Sequence, residues 1–182
     1  MIRVGLAMTF LTPSVSTLQA DESRRAGPTV SVTEAQGLYT VSARLWVPAP
    51  PAAVWGVLTD YDRIAEFTHG IEVSRLIERQ SNVCVVEQQG RGILGIGLRV
   101  RLRVVEQPPA EIQFEALEGD FQVYRGSFRL EARGGGTEVT YMLESQGKFW
   151  IPSWLGRSLI RSRVQRILKD IGAEVLRRYA ES

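Results

Sequence analysis

The amino-acid sequence predicts an α+β fold in which a curved, seven-stranded antiparallel sheet wraps one long C-terminal helix. Three observations point to this fold class: a strand followed by two short helices, six further strands with no helical pattern between them, and an amphipathic helix at the end of the chain. Such a sheet has one apolar face that must be covered. The final helix is the one predicted element long enough to cover it.

The composition is that of a single globular domain, which we assign to residues 37–182. The chain has 182 residues, of which 44% are hydrophobic and 23% charged, and its formal net charge is +2. This charge is too small to indicate nucleic-acid binding, so no nucleic-acid partner is expected. A single cysteine excludes an intramolecular disulfide and an iron–sulfur centre, and with a single histidine we expect no metal site and no cofactor.

Residues 1–20 have the layout of a secretory signal peptide. Arg3 is the only charge, the apolar run VGLAMTFL follows, and small and polar residues lead to Ala20, near which we expect cleavage. The run is shorter than the roughly 20 residues that a membrane-spanning helix needs. We therefore expect a periplasmic or secreted protein, or a cytoplasmic one if this segment is not a signal. Residues 21–36 are polar and are expected to form a flexible leader.

The first strand is predicted over residues 37–47, where apolar and polar side chains alternate. Three prolines end it. Proline is tolerated in the first turn of a helix, so a short helix is predicted over residues 52–58. A second short helix, capped by Thr59 or Asp60, is predicted to end at Phe67.

Six strands are predicted between residues 71 and 147, because apolar runs recur there between closely spaced turn signals. They cover residues 71–79, 83–89, 93–106, 111–117, 121–132 and 137–146, and they predict an antiparallel meander. In the third of them, three arginines share the face opposite the apolar one. Glu111 and Glu115 have the same parity on the next strand, which favours a solvated charge ladder with Arg99, Arg101 and Arg103.

The last helix is predicted over residues 153–179, where apolar side chains recur at steps of three and four. One helix cannot fill the concavity of a strongly curved sheet, so we expect an apolar cavity that suits a hydrophobic small molecule. Tyr124 and Tyr141 are expected to bind a polar group of that ligand, because a buried phenol seeks a partner. The candidate ligand-binding residues are Val41, Leu45, Phe67, His69, Leu98, Val100, Phe114, Tyr124, Phe128, Tyr141, Trp150 and Trp154.

Two of these candidates, Trp150 and Trp154, join the last strand to the long helix. One interpretation of these two tryptophans is ordinary core packing. The other is a gate at the cavity mouth that touches a membrane, because tryptophan is favoured at the membrane interface. The basic residues that follow on the helix would favour anionic head groups, although a solvated outer face is an alternative. We therefore expect a transient contact with a membrane surface. The basic residues are Arg157, Arg161, Arg163, Arg166 and Lys169.

Four other features have plain structural explanations. Residues 90–95 match the dinucleotide-binding pattern GxGxxG, but a strand follows them instead of a helix, so a turn is predicted. Asp60 and Asp62 are interpreted as helix caps. His69 is interpreted as an exposed loop residue and Cys84 as a small buried hydrophobe. No catalytic residue is assigned.

A resemblance to a known family begins at the end of the first strand. The strand end at Pro48, Val54-Trp55 and the run LTDY at 58–61, with Phe67 and Ile71, resemble the opening of the polyketide cyclase/dehydrase and coenzyme Q-binding family of the START-like (Bet v 1-like, SRPBCC) superfamily. The resemblance extends from about residue 38 to 180. It implies the helix-grip fold and a quinone, sterol, phospholipid or polyketide ligand, while some members act on ribosome assembly. Its motif is structural and carries over no catalytic residue.

We therefore expect a carrier or sensor of a hydrophobic small molecule such as a quinone, an isoprenoid or a phospholipid. A cyclase- or hydrolase-type enzyme that uses the same cavity is an alternative, and it requires His69, Tyr124, Tyr141 or a carboxylate to converge there. A ribosome- or protein-interaction module is a third possibility if the chain is not exported.

Overall fold

The computed structural model describes residues 27–91, 95–148 and 152–182, so the predicted signal segment lies outside the described residues. One sheet and three helices form within them. In chain order the elements are β1 (Thr29–Ala35), β2 (Leu38–Val47), α1 (Pro51–Leu58), α2 (Ile64–Phe67), β3 (Ile71–Gln80), β4 (Val83–Arg91), β5 (Gly97–Gln107), β6 (Glu111–Gly119), β7 (Phe121–Arg133), β8 (Gly136–Gly147) and α3 (Ser153–Ala180).

All eight described strands belong to one antiparallel sheet in the order β1-β2-β8-β7-β6-β5-β4-β3. Strands β3 to β8 form the predicted meander, and β2 closes onto β8. Helix α3 contacts β1, β2, α1 and α2. The predicted helix-grip arrangement is confirmed, with one strand more than predicted.

The additional strand is β1, which lies inside the segment predicted as a flexible leader. It pairs with β2 from Thr29 opposite Arg44 to Ala35 opposite Leu38. Gln36 and Gly37 join the two strands with φ values of 53° and 81°, as a tight two-residue hairpin requires. The leader prediction is therefore wrong over residues 29–35. The sequence TVSVTEA has only two valines in alternation among polar residues, which is a weak strand pattern.

The interior consists of two buried clusters. One joins β1, β2 and β8 to the first half of α3 and includes Val41, Val164 and Leu168. The other joins α1 and the second half of α3 to the middle strands and includes Val54 and Val175. The helix therefore packs on the inner face of β1 and β2 around Val41, and this part of the sheet is covered.

A buried polar cluster lies near the turn that joins β3 to β4. The Glu106 carboxylate accepts hydrogen bonds from the Tyr61 hydroxyl at 2.8 Å and from two Arg79 nitrogens at 2.9 and 3.1 Å. The Cys84 sulfur lies 3.4 Å from the same carboxylate. Burial is the main cause that raises the pKa of Cys84 to about 11. Cys84 is thus buried, as predicted, and its thiol stays protonated at neutral pH.

Two predicted details of the local structure are wrong. Strand β5 begins at Gly97, so the predicted strand is wrong over residues 95 and 96, and the side chain of Ile96 is exposed. Residues 93 and 94 of that prediction lie outside the described residues. Neither Asp60 nor Asp62 caps a helix: Asp60 accepts a hydrogen bond from Arg178 at 2.7 Å, and Asp62 accepts one from the Leu76 amide at 2.8 Å. These carboxylates instead tie the α1–α2 segment to α3 and β3.

The predicted charge ladder forms on the outer face, with altered partners. Arg103 lies 3.5 Å from Glu115, its cross-strand neighbour. A bulge after Arg101 shifts the register, and Arg101 pairs with Glu118 at 2.8 Å. Glu111 pairs with Arg129 on β7 at 3.6 Å.

Candidate functional site: a cavity between the sheet and the C-terminal helix

A cavity of about 640 Å³ lies between the first half of α3 and one end of the sheet, where β4 and β8 end and β5 and β7 begin. Its volume is within the range of small-molecule sites. Exposed residues of the β1–β2 turn lie at its rim. The residues that line it include Tyr39, Gly70, Ile71, Gln88, Leu98, Val100, Phe121, Tyr124, Tyr141, Leu143, Lys148, Ile160, Arg163, Val164 and Ile167.

A smaller cavity of about 120 Å³ adjoins the first one beneath α1 and α2. The two cavities share five lining residues, and the smaller one is otherwise lined almost entirely by apolar side chains. The lining of the two cavities therefore changes from largely polar near the rim to largely apolar in the smaller cavity. The shared residues are Ile71, Gln88, Tyr124, Tyr141 and Ile167.

Two phenols stand where the cavities meet. Burial is the main cause that raises the pKa of Tyr124, and it raises the pKa of Tyr141 further, with an added contribution from Tyr124. Both hydroxyls are therefore protonated at neutral pH. The Tyr141 hydroxyl donates a hydrogen bond to Tyr124, which leaves the Tyr124 hydroxyl able to donate into the cavity. Their rings belong to an aromatic group in which Tyr141 lies 4.6 Å from Phe128 and Tyr124 lies 4.6 Å from Phe121, centre to centre.

Arg163 brings a guanidinium group to the same place from α3. It donates hydrogen bonds to the backbone carbonyl of Gly70 at 3.1 Å and to that of Arg91. Burial is the main cause that lowers its pKa. Arg163 thus joins the helix to the loop before β3 and to the end of β4 while it lines the cavity.

Thr68 contributes a buried hydroxyl to the smaller cavity. Its side chain is 3% exposed. Its Oγ1 has no hydrogen-bond partner among the described residues. A buried hydroxyl without a partner destabilises the protein, because it loses its hydrogen bonds to water on folding.

Seven of the twelve residues predicted to bind ligand line these cavities. The alternation of side chains along the strands identifies six of them because they project from the inner face, whereas Phe67 ends helix α2. Leu98 and Val100 line the larger cavity, and Tyr124 and Tyr141 line both. The smaller cavity is lined by Phe67, Phe114 and Phe128.

The other predicted residues lie elsewhere. Val41 is fully buried and Leu45 packs beneath Gly172, because α3 covers this side of the sheet. His69 is exposed, as its loop position predicts, and its Nδ1 lies 3.0 Å from an Asp170 carboxylate oxygen. Trp154 is 70% exposed on α3. Trp150 lies outside the described residues.

Sequence reasoning missed the contributions of Thr68, Gln88 and the helix to the cavity. Arg163 was grouped with the basic outer face, but the remaining basic residues of that group are exposed while Arg163 is half-buried. The position of Arg163 could have been predicted from its spacing, because it lies three residues after Ile160 and four before Ile167, on the apolar face of the helix. An arginine in phase with an apolar stripe indicates a buried or cavity-lining guanidinium.

The described residues contain neither a group of metal ligands nor a helix suited to span a membrane. No three His, Cys, Asp or Glu side chains converge there as ligands of a metal ion. None of the helices in the described ranges has both the length and the hydrophobicity needed to cross a bilayer.

Solved structures with the same fold share little sequence identity with this chain. A Thermus thermophilus protein, TTHA0849, is 23% identical with a TM-score of 0.69, covering 79% of this chain and 99% of that one. The STAR-related lipid transfer protein of Xanthomonas axonopodis is 16% identical with a TM-score of 0.70, covering 82% of this chain and 93% of that one. The Zhui aromatase/cyclase of Streptomyces sp. R1128 is 19% identical with a TM-score of 0.67, covering 78% of this chain and 95% of that one.

A comparison with curated proteins finds no match. The sequence profile described as polyketide cyclase / dehydrase and lipid transport matches residues 47–171. The matched segment is more than half of the chain and runs from the end of β2 into α3, so it includes most of the residues that line the two cavities. The chain therefore belongs to the polyketide cyclase/dehydrase and lipid transport family.

Proposed function

We propose that the protein binds a hydrophobic small molecule in these cavities and acts as its carrier or sensor. Candidate ligands are quinones, isoprenoids and phospholipids. The observation that carries the proposal is the pair of adjoining cavities, about 640 and 120 Å³ in volume, between the sheet and α3. One of the structures with this fold is named a lipid transfer protein, which supports the same role.

The lining supplies both affinity and orientation. Transfer of apolar ligand surface out of water contributes about 25 cal/mol per Å². The larger cavity has many polar side chains in its lining, whereas the smaller one is mostly apolar. Tyr124 and Tyr141 line both cavities, and Arg163 lines the larger one and acts electrostatically on both phenols. Such a site orients a ligand that has one polar end and an apolar remainder.

The carrier role fits the site better than the cyclase or hydrolase alternative. Of the groups that the alternative requires, Tyr124 and Tyr141 converge, while the His69 ring is exposed beside Asp170. A phenol whose pKa is raised stays protonated at neutral pH and cannot accept a further proton. Neither tyrosine therefore suits the role of general base. The pair suits hydrogen-bond donation to a bound molecule, with Tyr141 donating to Tyr124 and Tyr124 donating to the ligand.

The decisive experiment is organic extraction of the purified protein, mass spectrometry of the extract, and titration with a quinone and lipid panel. We expect a co-purifying hydrophobic ligand and a panel member that binds. In the variant Leu98→Trp the indole would project into the larger cavity and obstruct part of it, and we expect weaker binding by a folded protein. The matched control is Ile77→Trp on an exposed position of β3. An empty extract with no binding to the panel, or full binding by Leu98→Trp, contradicts the proposal.

We further propose that the chain is exported and touches a membrane surface when it exchanges ligand. The signal-like pattern of residues 1–20 and the exposed Trp154 on α3 support this. Cell fractionation and intact mass measurement test the export. A periplasmic chain that begins near Asp21 is the expected result, and a full-length cytoplasmic chain contradicts it.

A further inference from the structure

Arg163 is a partly buried cation whose charge is not balanced by a carboxylate. Its two hydrogen-bond acceptors are the neutral carbonyls of Gly70 and Arg91. Among the described residues, no Asp or Glu forms an ion pair with it. The groups that act on its charge are the Tyr124 and Tyr141 phenols, which are protonated at neutral pH.

The other charged groups of the larger cavity do not balance it. Lys148 lines the cavity and donates to the Gly119 carbonyl at 2.7 Å. Glu34 lies in β1 near the rim, where it accepts the Gly37 amide at 2.8 Å. The charged lining therefore consists of two cations and one rim carboxylate, and Arg163 is the more buried of the two cations.

Buried charges in proteins are normally paired, because removal from water is costly without a partner. A guanidinium has five N–H donors, and the recorded bonds of Arg163 to backbone carbonyls leave donors free for another acceptor. Guanidinium groups match the geometry of carboxylate and phosphate oxygens. The Tyr141 hydroxyl donates to Tyr124, and the Tyr124 hydroxyl is therefore a further donor for the same ligand oxygens.

We propose that the ligand is an anionic amphiphile, whose carboxylate or phosphate head binds Arg163 beside Tyr124 and Tyr141 and whose tail occupies the apolar parts of both cavities, with its end in the smaller one. This deepens the carrier proposal and rests on it. The smaller cavity suits the tail, because its lining is almost entirely apolar. A neutral ligand would leave the Arg163 charge unbalanced.

The first test compares four probes of equal chain length on the wild-type protein, below their micellar concentrations. Palmitate and hexadecyl phosphate are anionic, hexadecanol is neutral, and hexadecyltrimethylammonium is cationic. Isothermal titration should show the two anions binding at least about 10-fold more tightly than hexadecanol, with the cation weakest. Inorganic phosphate alone should not bind, which separates a lipid head group from a free anion.

The second test uses Arg163→Met, with Arg166→Met as the matched control at an exposed position on the same helix. We expect Arg163→Met to weaken palmitate binding about 10- to 100-fold and hexadecanol binding less than about 3-fold. Arg166→Met should change neither. Arg163→Lys keeps the charge and should retain a preference for palmitate over hexadecanol.

The outcomes separate this proposal from the carrier role. If hexadecanol binds wild-type protein as tightly as palmitate, the anionic head group is excluded while the cavity remains a lipid site. If none of the four probes binds and extraction yields no ligand, both proposals fail. If Arg163→Met weakens palmitate and hexadecanol equally, Arg163 acts only as a clamp between α3 and the sheet. The wild-type comparison decides the question even if Arg163→Met does not fold.

Discussion

At the scale of single residues, the Thr68 hydroxyl shows how a binding site differs from a core. Most buried polar groups in proteins have hydrogen-bond partners. Thr68 Oγ1 has none among the described residues, although its side chain is almost fully buried. Its position beside a cavity means that a bound molecule, and not the protein, can satisfy it.

Replacement of this hydroxyl should stabilise the ligand-free protein. Thr68→Val keeps the shape of the side chain, and we expect it to raise the free energy of unfolding by about 1 kcal/mol, because an unsatisfied buried group is removed. Thr68→Ser keeps the hydroxyl and should not stabilise. Urea denaturation of delipidated protein measures both. A loss of stability in Thr68→Val would show that the hydroxyl has a partner.

Residue-level sequence reasoning succeeded where the cause is local. Strand alternation placed Leu98, Val100 and Phe114 on the inner face, because side chains alternate regardless of what covers them. It failed for Asp60, which resembles a cap in its local sequence but bonds to Arg178 on α3. No pattern in neighbouring residues reports a partner more than 100 positions away.

At the scale of elements, α3 is seated on the sheet by a close approach at Gly156. A Cβ at this position would lie 2.1 Å from the Tyr39 hydroxyl and 2.6 Å from the ring carbon that carries it. Tyr39 is buried and belongs to the cluster beneath the first half of the helix. A side chain at this position would therefore displace the Tyr39 ring or the helix.

The substitution Gly156→Ala should therefore destabilise the protein although alanine favours helices. The helix propensity gain is about 1 kcal/mol, whereas overpacking against a rigid buried ring costs typically about 1–3 kcal/mol and displaces the helix. We expect a net loss of stability and altered ligand affinity. Thermal denaturation and ligand titration check this. The double variant with Tyr39→Leu should recover most of the loss, and no recovery would place the cause elsewhere.

Most elements were predictable from local patterns, whereas their boundaries and neighbours were less so. The two short helices and the six strands of the meander follow from prolines, turn residues and alternation. β1 was missed because an edge strand carries many polar residues, and only its pairing with β2 distinguishes it from a leader.

At the scale of the whole molecule, two buried carboxylates make the fold sensitive to acid. Hydrogen bonds from Arg177, together with those from Arg178, lower the pKa of Glu174 to about 2. Burial alone would raise the pKa of Glu106, but hydrogen bonds from Arg79 and Tyr61 together outweigh it and hold that pKa below its usual value. Both residues therefore stabilise the folded state in the ionised form.

Stability should consequently fall as the pH decreases from about 4.5, the ordinary pKa of glutamate, toward 2. The unfolded chain binds protons in this interval before the folded one does. Glu174→Gln removes one such group, and we expect a shallower dependence of unfolding free energy on pH over the interval. The exposed Glu78→Gln is the control. Urea denaturation at several pH values measures the slopes, and equal slopes in Glu174→Gln and wild type would contradict the assignment.

The overall architecture was predictable, but the exact cavity was not. A curved sheet with one covering helix implies unfilled space, and both cavities were found on the expected face. Which inner-face residues line that space depends on where α3 lies. Periodicity gives the apolar stripe of the helix but not its position over the strands, so Val41 and Leu45 were assigned to the cavity while α3 in fact covers them.

The polar cluster of Tyr61, Arg79 and Glu106 has a consequence for the direction of ligand exchange. Tyr61 lines the smaller cavity, but its hydroxyl donates to the Glu106 carboxylate at 2.8 Å and is not available to a ligand there. On our proposal the charged head therefore lies toward the larger cavity, which adjoins the exposed β1–β2 turn. A receiving surface at that turn would meet the head group before the tail.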